Sequence, residues 1–385
     1  MTIEKVVIII PTYNEAAVIQ ETLTAVFNAT QSIPNADIHV LVFDSSSTDD
    51  TQRFVTDFAA HNDKLHLKTE LKKSGLGSAY MQAMRYALTE LSADIVFEFD
   101  ADLSHQPEYI APMLEKIKTG DVVVGSRYVP GGSIPANWGW HRKVLSMLGN
   151  WVARILLTMA YKDFTSGFRA TRRHALQAAL PEAFLSNQYA YKLQLLWLLH
   201  KTKSKIYEHP IEFIDREKGV SKLPANSVVD ALRVVFTLRY YELKRYLKMC
   251  LVGLSGMSVQ FLVYNLCRQY LPPFSSMQIA VTMAIVNNFI LNNHFTFKQR
   301  QHTSQYNKAK SMTIFLAYSL AYIYLQSYWQ VAGVKLFGEG VLKENGIIFT
   351  GMILGSFLNY VVYSRIVWRE QKTTPSSAQP YNNIS

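Results

Sequence analysis

The chain has 385 residues, enough for two domains, and its 49% hydrophobic against 18% charged content excludes a disordered polymer. The formal net charge is +10; in a chain this apolar, that excess fits an anionic membrane surface better than a nucleic acid. The only cysteines, Cys250 and Cys267, share one apolar stretch, so they imply no disulfide framework and read as inert packing residues.

Short β-branched or apolar runs at 6–10, 39–43, 65–68, 95–99 and 122–124 predict strands. The first is too short for the apolar core of a signal peptide and ends at Pro11. Helical patterns at 15–29, 48–60 and 77–91 alternate with these strands, which predicts an α/β fold with a mostly parallel, doubly wound sheet. Each strand runs out into polar residues: Pro11-Thr12-Tyr13-Asn14-Glu15, Asp44-Ser45-Ser46-Ser47, Asp100-Ala101-Asp102 and Gly125-Ser126-Arg127. These groups collect along one sheet edge, the predicted site. The Asp-x-Asp pair is its most informative member, because residues i and i+2 of an extended chain point to one side and can approach one hard cation.

Two further segments, 139–160 and 224–248, mix basic residues (His141, Arg142, Lys143, Arg154; Arg233, Arg239, Lys244, Arg245, Lys248) with aromatic and aliphatic ones. That is the composition of helices lying at a membrane interface. The second runs directly into an apolar span, which favours the interface over a core helix. Four spans, 249–267, 274–297, 311–334 and 346–364, contain no Asp, Glu, Lys or Arg and are long enough to cross a bilayer. Cationic residues cluster before the first span, between the second and third, and after the fourth. The positive-inside rule then predicts both termini and the α/β domain in the cytosol. The segment Asn288-Phe289-Ile290-Leu291-Asn292, with His294 and Phe297, is echoed by Asn359-Tyr360-Val361-Val362-Tyr363, with Arg365 and Trp368. Such asparagines either bond neighbouring helices or line a polar path for a headgroup. The tail from 371 to 385 is polar and reads as disordered. The predicted domains are 1–223 (catalytic), 224–248 (interfacial linker), 249–370 (membrane) and the tail.

The ordered motifs Pro11–Glu15, Asp44-Ser45-Ser46-Ser47-Thr48-Asp49, Gly75-Leu76-Gly77-Ser78-Ala79 and Asp100-Ala101-Asp102-Leu103-Ser104-His105 resemble inverting family 2 glycosyltransferases. Adding Gly125-Ser126-Arg127-Tyr128, Asp163-Phe164-Thr165-Ser166-Gly167-Phe168-Arg169 and Arg216-x-x-Gly219-x-Ser221-Lys222 makes the chain similar to the dolichol- and polyprenol-phosphate mannose synthases. The apolar half resembles the GtrA-like four-helix membrane family. The resemblance implies a GT-A type domain followed by an all-α transmembrane domain, and an enzyme moving a hexose, with mannose from GDP-mannose favoured, onto polyprenyl or dolichyl phosphate. It implies Mg2+ or Mn2+ at Asp100, Asp102 and Ser104. It implies a donor pocket from Pro11, Tyr13, Glu15, Phe43, Asp44, Lys73 (or Lys72), Gly77, Asp100 and Ala101, with the Gly75–Gly77 turn closing over it. It gives Asp102, Arg127, Arg216 and Lys222 catalytic roles, and Arg127, Arg142, Ser133 and Ser166 the acceptor phosphate, with Arg169 nearby. Two departures from the family pattern stand out: Ser45 where many relatives have a second acidic residue, and Ser104 where some have glutamine.

Bringing two anionic substrates together needs offsetting cations, and guanidinium presents a planar donor fork to phosphate. A phosphate oxygen is already an anionic nucleophile, so no general base is required. A UDP-glucose-dependent undecaprenyl-phosphate transferase remains the alternative within this class, and a lipid-linked-sugar translocator or scaffold the alternative outside it. The expected partners are the nucleotide sugar, the lipid phosphate and the bilayer, without nucleic acid; the expected place is a multi-pass position in a membrane, the inner one if the source is bacterial. Homo-oligomerisation is left open.

Overall fold

A computed structural model describes residues 3–215, 226–291 and 305–362. They form two compact units divided between Tyr240 and Tyr241. The first unit runs β1 (Glu4–Thr12), α1 (Ile19–Thr30), β2 (Ala36–Asp44), α2 (Thr51–Ala59), β3 (Leu65–Thr69), α3 (Leu76–Thr89), β4 (Ile95–Glu98), α4 (Ile110–Ile117), β5 (Val122–Ser126), α5 (Trp140–Leu156), β6 (Arg169–Arg172), α6 (Arg173–Ala179), α7 (Tyr191–Lys201) and β7 (Ile206–Pro210). The runs at 6–10 and 40–43 are buried, as strands covered by helices on both sheet faces must be.

All seven strands form one sheet in the order β3-β2-β1-β4-β6-β5-β7. Every neighbouring pair is parallel except those of β6, which runs antiparallel to β4 and β5. From β1 the chain moves outward through β2 and β3, then returns to β4 on the other side. The switch point therefore lies between β1 and β4, and open α/β sheets bind ligands outside the carboxyl ends of the strands at such a point. Pro11 lies past the last β1–β4 pair, Ile9 with Glu98, so its missing N–H breaks no bond of that ladder.

The five predicted strands are present; β6 and β7 were not predicted. β6 reads Arg-Ala-Thr-Arg, with no apolar run to announce it. The helical pattern starting at 15 becomes helix only at Ile19, because Asn14 adopts a left-handed φ of 53° and the Glu15 N–H goes to Thr51 Oγ1 at 2.9 Å. Helix α7 is buried along Tyr191–Leu199, Lys192 and Gln194 included.

Helix α8 (Ser227–Cys267) contains the unit boundary; α9 (Pro273–Leu291), α10 (Gln305–Phe337) and α11 (Val341–Val362) follow. The second unit buries polar residues beside an apolar cluster around Met277, Val281 and Ile348, and is apolar outside. Gln260, Ser319, Gln326, Ser327, Gln330 and Glu344 are buried while Leu254, Leu262, Met283, Ile290, Leu325 and Ile353 are exposed, the reverse of a bundle in water and the arrangement that lipid favours. Glu344 accepts hydrogen bonds from Tyr264 at 2.5 Å and Arg268 at 3.1 Å. Cys250–Cys267 and Pro273–Leu291 are the described helices long and apolar enough to cross a membrane; the predicted span at 311–334 falls on α10, and that at 346–364 on α11 as far as Val362, where the described residues end. Asn287 donates to Ser255 Oγ at 3.0 Å, and Asn288 occupies the space beside Gly256, where a Cβ would meet its Oδ1 at 2.3 Å. Both act between helices, in line with the first of the two readings of the asparagines. Arg216, Gly219, Ser221, Lys222, Asn292, His294, Phe297, Arg365, Trp368 and the tail lie outside the described residues.

Candidate active site

Asp100 and Asp102 follow β4 at the switch point. Their backbone is fixed from below, where Thr22 Oγ1 on α1 donates to the Ala101 carbonyl at 2.7 Å. Tyr80 on α3 donates to the Phe99 carbonyl at 3.2 Å, with Asp100 Oδ1 at 3.4 Å. Between Asp102 and Ser104, Leu103 is held at φ 56°, and Asn14 and Ser46 take the same left-handed form after β1 and β2. A branched residue such as leucine rarely adopts that φ, and such strain gathers at functional sites. The turn aims the Asp102 carboxylate back, so that its Oδ1 accepts the Ser104 N–H at 3.1 Å. Ser104 is buried.

His105, next along this turn, is buried and stacks on Phe168 with ring centroids 5.0 Å apart. Its Nδ1 has no hydrogen-bond partner and lies 3.7 Å from Asp100 Oδ2. Burial pushes the imidazole down to about 4, so the ring is neutral at pH 7. Lys192 Nζ, from α7, stands 3.7 Å from the same Asp100 oxygen, its side chain 8% exposed against 26% for Asp100. The turn at Ser166-Gly167 fits against both: a Cβ on Gly167 would lie 2.1 Å from Lys192 Nζ and 3.5 Å from Asp100 Oδ2. The predicted acceptor-side turn is thus brought beside the predicted metal carboxylate.

Two acidic side chains and an orphaned neutral imidazole nitrogen suit a hard divalent cation, with nitrogen more readily accepted by Mn2+ than by Mg2+. Among the described residues no three acidic, histidine or cysteine side chains already converge as a cage.

On the donor side, Lys73 Nζ lies 3.4 Å from the centroid of the Tyr13 ring, so these two predicted pocket residues form one cation–π pair. Phe43, Ala101 and Gly77 are buried, and Pro11 and Glu15 are partly exposed at the end of β1 and in the turn after it. The Asp44 carboxylate is buried and accepts from Thr12, Ser47 and Gln52, at 2.8 Å from Thr12 and 2.6 Å from Gln52. A base reaching Asp44 must share it with these donors. The Gly75–Gly77 turn is held by close packing. It packs against backbone: Gly77 N–H donates to the Asn187 carbonyl at 2.8 Å, and a Cβ on Gly75, at φ 103°, would come within 2.3 Å of that oxygen. Glycine is needed here for close approach of two chain segments.

Arg127, after β5, is mostly buried and gripped by Asp163: Nε and Nη2 donate to its two oxygens at 2.8 Å each, and Nη2 also reaches Thr165 Oγ1 at 2.6 Å. Burial alone would raise the Asp163 carboxyl, but the Arg127 guanidinium outweighs it and holds the group below the ordinary carboxylate range. Arg127 Nη1 makes no hydrogen bond to a described residue and is the nitrogen left for a ligand. Ser166 is buried, its Oγ accepting the Phe168 N–H at 3.3 Å. Arg142 stacks on Trp138 at 3.8 Å and pairs with Asp215 at 3.1 Å, and Ser133 is exposed, its backbone bonded to Ile211 and Phe213. No described contact joins either to the Asp100 group. Arg169 corrects the expectation placed on it. It is buried opposite Glu98 across β4 and β6, with Nε to Oε2 2.5 Å, and is a core ion pair.

His105 and Lys192 are the residues that prediction missed. His105 ended a recognised motif, and Lys192 is the cation in the first turn of a mostly apolar helix whose other lysine, Lys201, ends it.

Residues 7–180 match Glycosyl transferase family 2, and residues 248–368 match the GtrA/DPMS transmembrane domain. The chain is similar to the undecaprenyl-phosphate mannosyltransferase of Micrococcus luteus, 38% identical over 59% of this chain and 91% of that one. It is similar to the polyprenol monophosphomannose synthase of Mycolicibacterium smegmatis, 35% identical over 60% and 84%. With the dolichol-phosphate mannosyltransferase of Pyrococcus furiosus the likeness extends through both units: 32% identity over 94% of this chain and 99% of that one.

Proposed function

The chain belongs to the polyprenol- and dolichol-phosphate mannosyltransferases of glycosyltransferase family 2, with their transmembrane domain, and we propose that it transfers mannose from GDP-mannose to a polyprenyl phosphate with inversion at the anomeric carbon. The observation that carries this reading is the placement of Asp100 at the switch point of the sheet, with Asp102 beside it and the Gly167 turn against it.

A divalent cation, Mg2+ or Mn2+, held by Asp100 and Asp102 with Ser104 and His105 alongside, would neutralise the leaving nucleoside diphosphate. The protein's own groups do the rest. The Tyr13–Lys73 pair flanks the donor, with Pro11, Glu15, Phe43, Asp44, Gly77 and Ala101 shaping that side. Arg127, locked by Asp163 and Thr165, presents a fixed cation to the acceptor phosphate at no cost in reorganisation. Ser166, Ser133 and Arg142 belong to the acceptor side, and Arg216 and Lys222 supply further charge to the phosphates. The acceptor oxygen is ionised at pH 7, so the site must orient it opposite the diphosphate and exclude water.

Helix α5 brings the lipid to this edge. Trp140, Val144, Leu148, Trp151 and Ile155 recur on one face and are all more than half exposed, with His141, Arg142, Lys143 and Arg154 on the same helix, the make-up of an interfacial helix. The second unit supplies four membrane spans, with the catalytic domain and both termini cytosolic; in a bacterial cell that membrane would be the inner one.

The test offers purified full-length protein in detergent labelled GDP-mannose and UDP-glucose in parallel, with polyprenyl phosphate and Mn2+. Label in the lipid phase from GDP-mannose supports the reading. Transfer only from UDP-glucose overturns the choice of sugar, and transfer from neither, with nucleotide bound, overturns the synthase.

A further inference from the structure

Lys192 has no place in the donor and acceptor groups described above, yet its ammonium stands beside the Asp100 carboxylate. Helix α7 is buried along its length and carries this lysine into the site. Its Nζ lies against Gly167, where a Cβ would come within 2.1 Å of it and would have to push the lysine's flexible end aside. A buried ammonium loses its hydration, and hydrogen bonds normally replace it. Here, among the described residues, Nζ donates no hydrogen bond. Its charged neighbour is Asp100, with Oδ2 at 3.7 Å, and the Tyr189 ring lies at 5.7 Å. Three donors in a cleft that must take a diphosphate are thus left for a ligand.

The same carboxylate oxygen is wanted by two cations. A divalent metal bound to Asp100 Oδ2 at its usual distance of roughly 2.1 Å would stand no more than about 6 Å from Nζ. At that range, in a half-buried cleft, the repulsion is poorly screened. A bound donor would reverse the balance, because its phosphates could accept from the ammonium and offset the charge of the cation.

We propose that Lys192 makes metal loading conditional on the donor: its ammonium disfavours a divalent cation on Asp100 in the substrate-free enzyme, and the diphosphate draws the ammonium off as the metal enters. This rests on the assignment of the metal to Asp100. Metal and nucleotide then bind with strong mutual coupling, equal in both directions, and the enzyme takes up the metal–nucleotide complex in preference to the bare ion.

The experiment measures Mn2+ binding to full-length protein in detergent from the electron paramagnetic resonance signal of free Mn2+, with and without GDP. Wild type, Lys192→Gln, Lys192→Arg and Asp100→Asn are compared, with thermal transitions confirming that each is folded. Lys192→Gln is expected to bind Mn2+ without GDP on the order of tenfold more tightly than wild type, and to show a correspondingly smaller enhancement by GDP. Lys192→Arg keeps the charge and is expected to stay close to wild type. Unchanged or weaker Mn2+ binding by Lys192→Gln in the absence of GDP overturns the proposal, provided Asp100→Asn abolishes binding. If Asp100→Asn binds Mn2+ like wild type, the metal assignment fails and the proposal fails with it.

Discussion

Replacing Arg169 by methionine should cost stability and leave acceptor recognition alone. Arg169 and Glu98 are each 1% exposed and face one another across β4 and β6, with Nε to Oε2 2.5 Å and Nη2 to Oε1 2.9 Å. Tyr191 donates to the same Oε1 at 3.0 Å. Removing the guanidinium leaves a carboxylate stranded in the core, a change that costs about 3–5 kcal/mol. For a unit of this size that corresponds to a drop of roughly 6–20 °C in the unfolding midpoint. The assay is a thermal scan of full-length protein in detergent, following the transition that GDP shifts, since that transition belongs to the nucleotide-binding unit. The paired change Arg169→Met with Glu98→Gln removes both charges and should recover most of the loss. An unchanged midpoint in the single variant, with a raised KM for the lipid acceptor, would refute the core role and return Arg169 to the phosphate.

Three other outcomes follow from the geometry. Gly75→Ala forces a Cβ to within 2.3 Å of the Asn187 carbonyl at φ 103°, and should destabilise the same thermal transition by about 1–3 kcal/mol. Burial holds His66, His200 and His209 below the ordinary histidine value of 6.5, helped by His39, Lys201 and Lys116 respectively. The unfolded chain takes up these protons first, so their contribution is complete above pH 6.5 and is lost as pH falls through the folded values; the midpoint should be lower at pH 5.5 than at 7.5, with a shallower slope in His66→Gln. Trp140→Glu with Trp151→Glu should raise KM for a long-chain polyprenyl phosphate by roughly tenfold, through lost insertion of α5, while the KM for GDP-mannose stays within twofold; equal effects on both substrates would argue against an interfacial α5.

The sheet was legible where apolar residues run together, as at 6–10 and 95–99, and the edge was legible because each of those strands ends in polar residues. β6 was not, because Arg169 is buried through a partner 71 positions away, and only the antiparallel register brings Glu98 opposite it. The same long-range logic hid the role of Gly75, whose neighbour is Asn187, and that of Lys192, which looks like a solvated charge until α7 is seen to be buried. Asp100 and Asp102 were readable because their function depends on a spacing of two along one strand exit. Tyr13 and Lys73 were each predicted, but their contact through a cation–π pair depends on the fold.

The most direct test of the account is lipid-phase transfer of labelled mannose from GDP-mannose by wild type and Asp102→Asn, each with Mn2+ and with EDTA. The account predicts transfer by wild type with Mn2+, its loss in EDTA with recovery on re-adding the metal, and a fall of about a thousandfold or more in kcat/KM for Asp102→Asn. Undiminished transfer by Asp102→Asn, or by wild type in EDTA, would contradict it.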